Sequence, residues 1–259
     1  MSALLEIINL SQQIKVQQGW FKRQTLDILS SVNLTLKQGH TLSIIGESGS
    51  GKSTLVRLIA GLNCPTHGEI RINGELLEYG AHSKRCKLVR MIFQDPNTSL
   101  NPRSRIGRIL EVPLALNTYM SEQQRRDRIS STLKLVGLLP EHAEYYPQML
   151  SSGQKQRVAL ARALILNPKI VIADESISSL DVSVRSQIIN LLIELQNRFG
   201  LSYIIVSNDL GMVSHMSDQV AVMYKGTIVE WTQTEMLFNQ PQHEITQRLL
   251  SAYNTVFKK

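Results

Sequence analysis

Short, uninterrupted hydrophobic runs alternate along the chain with longer stretches in which apolar residues recur every three or four positions. TLSIIG (41–46), LVRMIFQD (88–95), KIVIADE (169–175) and LSYIIVSND (201–209) hold the β-rich apolar blocks of strands buried on both faces. Helical periodicity occupies STLVRLIAGL (53–62) and VRSQIINLLIELQNRFG (184–200), where Gly200 is the stop. MLSSGQKQRVALARALILNP (149–168) reads as a loop followed by a helix. From NPRSRIG (101–107) to Leu139 the pattern is also helical, most clearly in EQQRRDRISSTLKLVGLL (122–139). Two segments predict hairpins: GEIRINGELL (68–77) about Asn73-Gly74, and QVAVMYKGTIVEW (219–231) about Lys225-Gly226. Strands interleaved with helices predict an α/β domain with a mostly parallel central sheet, the helical stretch near 101–165 being inserted between two of its strands.

Composition narrows the setting. The 259 residues are 42% hydrophobic and 19% charged, enough for one large core or two small ones. Lys and Arg outnumber Asp and Glu by 28 to 21, a formal charge of +7. Such a balance suits phosphate-bearing ligands, anionic lipid or nucleic acid, and equally an ordinary solvated basic surface. Cys64 and Cys86 are too few for a disulfide scaffold, a zinc site or an iron–sulfur cluster, and they fit a reducing cytoplasm. The start, MSALLEIINL, lacks a basic n-region and Glu6 interrupts its apolar run, so it does not read as a signal peptide. No apolar run approaches the ~18 residues of a membrane span, so the chain reads as soluble, with docking on membrane proteins still open.

The sharpest chemical signal is GESGSGKST (46–54), which satisfies G-x-x-x-x-G-K-[ST] between a predicted strand and a predicted helix. Glycines let the backbone wrap close to phosphate oxygens, and successive N–H groups at a helix N-terminus bind them. Gly46, Glu47, Ser48, Gly49, Ser50, Gly51, Lys52, Ser53 and Thr54 are therefore candidate ATP contacts. Lys52 would reach the β- and γ-phosphates and the Ser53 hydroxyl would ligate Mg²⁺. IVIADE supplies the acidic strand end that such a loop needs: Asp174 as the metal-holding aspartate and Glu175 as the general base for the attacking water. Alone, Asp-Glu after an apolar strand is as well explained by helix capping.

Together with three further motifs, these residues resemble the ATP-binding cassette (ABC) proteins. LSSGQKQRVALARAL (150–164) is similar to that family's signature, usually LSGGQ followed by QR-x-x-x-A-R-A, and it stands directly ahead of the acidic strand. FQDP (93–96) resembles the Q-loop, with Gln94 its glutamine, and SSLD (178–181) the D-loop, with Asp181 its acid. The resemblance runs from the first strand to Ala252. It implies an α/β P-loop NTPase: a RecA-like, mostly parallel sheet with an antiparallel β subdomain, plus an inserted α-helical subdomain. It also implies one ABC domain over 1–259. Residues 1–94 and 165–231 would form the ATPase core, 95–164 the helical subdomain with the signature, and 232–259 a C-terminal tail.

The family mechanism that the resemblance implies pairs two such domains head to tail, each ATP lying between one P-loop and the other's signature. Ser151 and Gly153 would face the γ-phosphate across that interface, with Gln154 beside them. Gln94 would touch Mg²⁺ and link the site to the helical subdomain. Trp20 and Phe21 are candidates for adenine stacking, with an exposed loop aromatic as the equal alternative. The implied partners are transmembrane permease subunits, a second ATP-binding subunit (a copy or a sister chain) and a solute-binding protein. The implied place is the cytoplasmic face of the inner membrane. FQDPNTSLNPRSRIG and NQPQHEITQRLLSA (239–252) resemble the peptide/nickel importer group, with Ile245 where that tail usually has Tyr. YYPQML, GQKQR, ARALILNPK and IADE look most like the Sap-type peptide systems of that group.

Several positions depart from the family pattern. Ser152 takes the place of the signature's first glycine, Ser176 that of a proline, and Ala173 that of a larger aliphatic residue. The largest departure is Asn208, which stands where the switch region S-H-D-L carries histidine. Asn keeps an N–H₂ donor but cannot become cationic. His215 lies too far along to substitute and reads as a surface histidine. Two readings of catalysis stay open: slow hydrolysis through Glu175, or a chain that mainly binds ATP beside a more active sister. A non-transport ABC ATPase acting on nucleic acid is the other class. No long coiled coil separates P-loop from signature and there is one cassette, so no nucleic-acid partner is expected. A small-molecule kinase would leave 150–164 unexplained.

Overall fold

The computed structural model describes residues 3–18, 22–93, 99–175 and 181–257. In chain order the strands are β1 (Ala3–Gln18), β2 (Lys22–Lys37), β3 (Thr41–Gly46), β4 (His67–Ile72), β5 (Glu75–Leu76), β6 (Val89–Ile92), β7 (Ile170–Asp174), β8 (Ser202–Val206), β9 (Gln219–Tyr224) and β10 (Thr227–Gln233). The helices are α1 (Lys52–Ala60), α2 (His82–Leu88), α3 (Ile106–Asn117), α4 (Glu122–Leu135), α5 (Ser152–Leu164), α6 (Val182–Phe199), α7 (Leu210–Met216), α8 (Thr234–Asn239) and α9 (Glu244–Phe257). None of the described helices is long and apolar enough to cross a membrane. The chain forms two compact units, Met1–His82 with Ser202–Lys259, and Ser83–Leu201.

The first unit carries two sheets. One is antiparallel, in the order β2-β1-β4-β5. Val32, Leu34 and Leu36 are buried on β2 while Ser31 and Asn33, alternating with them, are exposed, the period-two pattern of a strand with one face on the core. β4 turns into β5 at Asn73 (φ 53°) and Gly74 (φ 78°), both left-handed, the conformation that an Asn-Gly hairpin turn requires. The other sheet has β3, buried along its whole length, running parallel to β8 on one side and β9 on the other. β9 turns back into β10 at Lys225 (φ 44°) and Gly226 (φ 81°), so both predicted hairpins form.

In the second unit β6 and β7 run parallel, Val89 opposite Ile170 and Ile92 opposite Ala173. Parallel neighbours need a long crossover, and here it contains α3, α4 and α5. The predicted helical stretch 101–139 is interrupted before α4, where Ser121 and Gln124 form a capping box. Gln124 N donates to Ser121 Oγ (3.3 Å) and Ser121 N to Gln124 Oε1 (2.8 Å). At the far end of α5, the Arg128 guanidinium donates to the carbonyls of Leu164 and Ile165 and to Asn167 Oδ1, satisfying carbonyls that a helix terminus leaves open. β2, α2, α8 and α9 are additions to the expected elements, the last two within the stretch expected only as a C-terminal tail.

Candidate functional site

β3 leads into GESGSGKST (46–54), the predicted phosphate loop. Gly46 lies opposite Met223 of β9, and Ile44 opposite Val206 of β8. The residues after β3 and those after β8 therefore leave from the same carboxyl edge of parallel strands, where open α/β sheets bind ligands. Two glycines make the loop possible. At Gly46 (φ 146°) a Cβ would lie 2.2 Å from Met223 O, and at Gly51 (φ 104°) 2.8 Å from Leu29 Cδ2. The hairpin turn after β9 holds the loop from beside it: Gly226 N donates to Ser50 O (3.0 Å), and Ser30 N to Gly226 O (2.9 Å).

The chemistry inside this loop fits a polyphosphate. Lys52 is 5% exposed, and its Nζ donates to Gly46 O (2.8 Å) and Glu47 O (2.9 Å). A buried ammonium is costly without acceptors and favours an anion beside it. Gly51 caps α1 with no side-chain hydrogen bond, and the first turn of the helix, Lys52, Ser53 and Thr54, presents its N-terminal end to the loop. Ser50 Oγ is buried with no hydrogen-bond partner, a polar atom that a phosphate oxygen would satisfy. Ser48 and Gly49 are exposed, and a Cβ on Gly49 would meet nothing within 4 Å. Glu47 pairs with Arg248 of α9.

At the end of β8 the three polar residues divide their work. Ser207 Oγ accepts from Asp209 N (3.0 Å), and Asp209 Oδ1 accepts from Met212 N (3.0 Å) to cap α7. Ser207 is buried, and Asn208 alone of the three is exposed. His215 is exposed on α7, as an ordinary surface histidine would be.

The second unit holds the other motifs. β7 ends in Asp174, 6% exposed, and Glu175 follows it with φ 48°. A non-glycine residue held left-handed stores strain of ~1–3 kcal/mol, a feature concentrated at functional sites. Ala173 is buried, at 2% exposed. The signature opens α5. Ser151 Oγ accepts from Gln154 N (3.3 Å), and Gln154 Oε1 from Ser151 N (3.0 Å), a second capping box. Ser152 is the first residue of the helix, exposed and without a positive φ, so nothing local demands glycine there. Gly153 is different: a Cβ on it would lie 3.1 Å from Val184 Cγ1 of α6. Asp181, exposed, precedes α6 and accepts Arg185 N at its carbonyl (2.8 Å).

The phosphate loop and Asn208 thus share an edge of the first unit, and Asp174, Glu175, the signature and Asp181 belong to the second. Trp20, Phe21, Gln94 and Ser176 lie outside the described residues. Among the described residues no group of three or more His, Cys, Asp or Glu is placed to hold a metal ion. Ser53 and Asp174 offer hard oxygen donors of the type that suits Mg²⁺, an ion commonly held by one or two carboxylates plus substrate phosphates. Sequence reasoning missed Gly226 and Arg248, which reach the loop from 176 and 201 positions away respectively, counted from Ser50 and Glu47. No local pattern encodes contacts that distant.

Comparison with known proteins places this geometry. The family model described as ABC transporter matches residues 29–178. The chain is 53% identical over 250 residues to the putrescine export system ATP-binding protein SapF of Escherichia coli K12, covering 96% of this chain and 93% of that protein. It has the same identity and coverage, 53%, 96% and 93%, with the peptide transport system ATP-binding protein SapF of Salmonella typhimurium. Among solved structures, the ATP-binding cassette MJ0796, dimeric and bound to ADP and Pi, superposes with a TM-score of 0.77 at 30% identity, over 89% of this chain and 98% of that one. A phosphate loop, an acidic strand end and a capped signature helix, in a chain with these relatives, belong to the ABC transporter family, of which this chain is an ATP-binding ATPase cassette.

Proposed function

We propose that this cassette binds and hydrolyses ATP to power a membrane transporter for peptides, working with permease subunits at the cytoplasmic face of the inner membrane. The observation that carries the ATP chemistry is the phosphate loop, with its Cβ-excluding glycines, buried Lys52 and unsatisfied Ser50 hydroxyl. Lys52 and the α1 N–H groups would bind the β- and γ-phosphates; Ser53 in the first unit and Asp174 in the second are each candidate oxygen ligands for Mg²⁺, which would supply charge neutralisation when bound. Glu175 takes the proton of the attacking water. Ser151, Gly153 and Gln154 act on ATP held by a second ATP-binding subunit, and Asp181 stands near that interface. Gln94 relays the γ-phosphate to the helical subdomain of 95–164, and Trp20 or Phe21 stacks on adenine. Asn208 is a weakened switch that cannot carry a proton.

Peptide cargo is supported by the FQDP and tail motifs and by the name of the Salmonella relative. The Escherichia coli relative's name, putrescine export, supports a second reading at the same sequence identity. Proteoliposomes containing the assembled transporter separate the two: peptide should stimulate ATP turnover and putrescine should not, and the reverse result replaces the cargo. Lys52→Ala should abolish ATP binding. Glu175→Gln should keep binding and lose turnover by ~100-fold or more. Unchanged turnover would make the chain a mainly ATP-binding partner.

A further inference from the structure

The C-terminal helix α9 reaches the nucleotide edge of its own unit twice, by separate contacts. Its Arg248 pairs with Glu47, the second residue of the phosphate loop. Its Ile245 and Leu250 enter a buried cluster with Ile45, the residue before Gly46, and with Leu210 and Val213 of α7, the helix that follows Asn208. The start of the helix is held as well: the Glu230 carboxylate of β10 accepts from the backbone N–H of Gln242 (3.0 Å) and His243 (2.9 Å). The helix is therefore packed behind both chain segments that leave the carboxyl edge, and one of its side chains extends to the loop itself.

Glu47 is the loop's single acid within 46–54, in a site built for phosphates. An ionised carboxylate there opposes phosphate binding unless a cation holds it, because like charges in close quarters repel. We propose that α9 is a positioning element for the phosphate loop, and that Arg248 is the positioning residue: it neutralises Glu47 and holds its side chain away from bound phosphates. The inference rests on the loop being the ATP site. Arg248 acts through Glu47 and takes no part in the chemical step.

The test is a double-mutant cycle on the full-length chain, reading the Kd for ATP by titration calorimetry. Arg248→Ala should weaken ATP about two- to fivefold, the scale of an exposed ion pair, and the loss should shrink at high salt. Arg248→Lys should recover most of it. On a Glu47→Gln background Arg248→Ala should change nothing, because the carboxylate it manages is gone. Hydrogen exchange supplies the readout that a merely structural role would not give: amides of 46–54 should exchange faster in Arg248→Ala, while those of 244–252 keep their protection. An unchanged Kd in Arg248→Ala overturns the proposal, as does an equal loss on the Glu47→Gln background or a general loss of protection in α9. Failure of the underlying reading is distinct, since the unaltered chain would then bind no ATP at all.

Discussion

Replacing Gly46 by alanine tests whether the phosphate loop is held by backbone geometry as described. The residue has φ 146° and pairs with Met223 at the end of the β3–β9 ladder. An added Cβ would sit 2.2 Å from Met223 O. That is about 1 Å short of an ordinary C···O contact of ~3.3 Å, and the atom it meets is backbone, which cannot swing away. Strain at this φ costs ~1–3 kcal/mol, and parting the strand ends to relieve the contact loses a hydrogen bond worth ~1 kcal/mol. The sum is ~2–4 kcal/mol, a fall in Tm of about 4–8 °C at ~2 °C per kcal/mol for a chain of this size. Gly49 is the matched control: with φ 79° and nothing within 4 Å of its Cβ, it has the dihedral penalty without the collision. Gly49→Ala should lose only ~1–2 kcal/mol. Calorimetric melts of the two variants decide the matter. Equal melting temperatures for the two, or a Gly46→Ala protein as stable as the original, would refute the collision as the reason for glycine. Gly46→Ala should in addition lose ATP binding.

Three further outcomes follow from other parts of the molecule. Asn208→His should fold normally, because position 208 is exposed, and should raise turnover several-fold in the assembled transporter; no gain there removes residue 208 from any switch role. Gly153→Ala should cost about 1 kcal/mol through its contact with Val184, and Val184→Ala in the same chain should recover that loss in a urea melt. At Glu230, burial pushes the carboxyl pKa up. The backbone N–H groups of Gln242 and His243, which donate to the carboxylate, act against it, and the folded value is lowered. The stabilisation is therefore present above the ordinary carboxylate range and lost as pH falls through the folded value. Tm measured against pH for Glu230→Gln and the original chain should differ at neutral pH and converge in acid; a constant gap would mean that the carboxylate charge is not what anchors α9.

What the sequence displayed was whatever is written in adjacent residues. The strand–loop–helix at 41–60 and both left-handed hairpin turns could be read from short strings, because each is decided by neighbours a few positions apart. Helix breaks were harder: 101–139 keeps its helical rhythm across the gap between α3 and α4, and only the Ser121–Gln124 cap marks the interruption. The departures from the family pattern became intelligible only with coordinates. Ser152 is tolerated because the first turn of a helix needs no glycine, whereas Gly153 is fixed by Val184, thirty-one positions away. The same holds at the end of β8, where three polar residues look alike in sequence, yet Ser207 Oγ accepts from Asp209 N, Asp209 caps α7 and Asn208 is the exposed one.

The two hairpin turns also differ in a way that bears on what may be attached to the molecule. Asn73-Gly74 and Lys225-Gly226 share one turn geometry, but a Cβ on Gly74 would meet nothing within 4 Å while one on Gly226 would lie 2.5 Å from Ile28 O. Gly226 also bonds Ser50 and Ser30 through its backbone. An epitope or fluorophore inserted at 73–74 would hang in solvent and leave activity intact. The same insertion at 225–226 would pry the phosphate loop from its neighbours, although sequence chemistry alone ranks the two sites as equivalent.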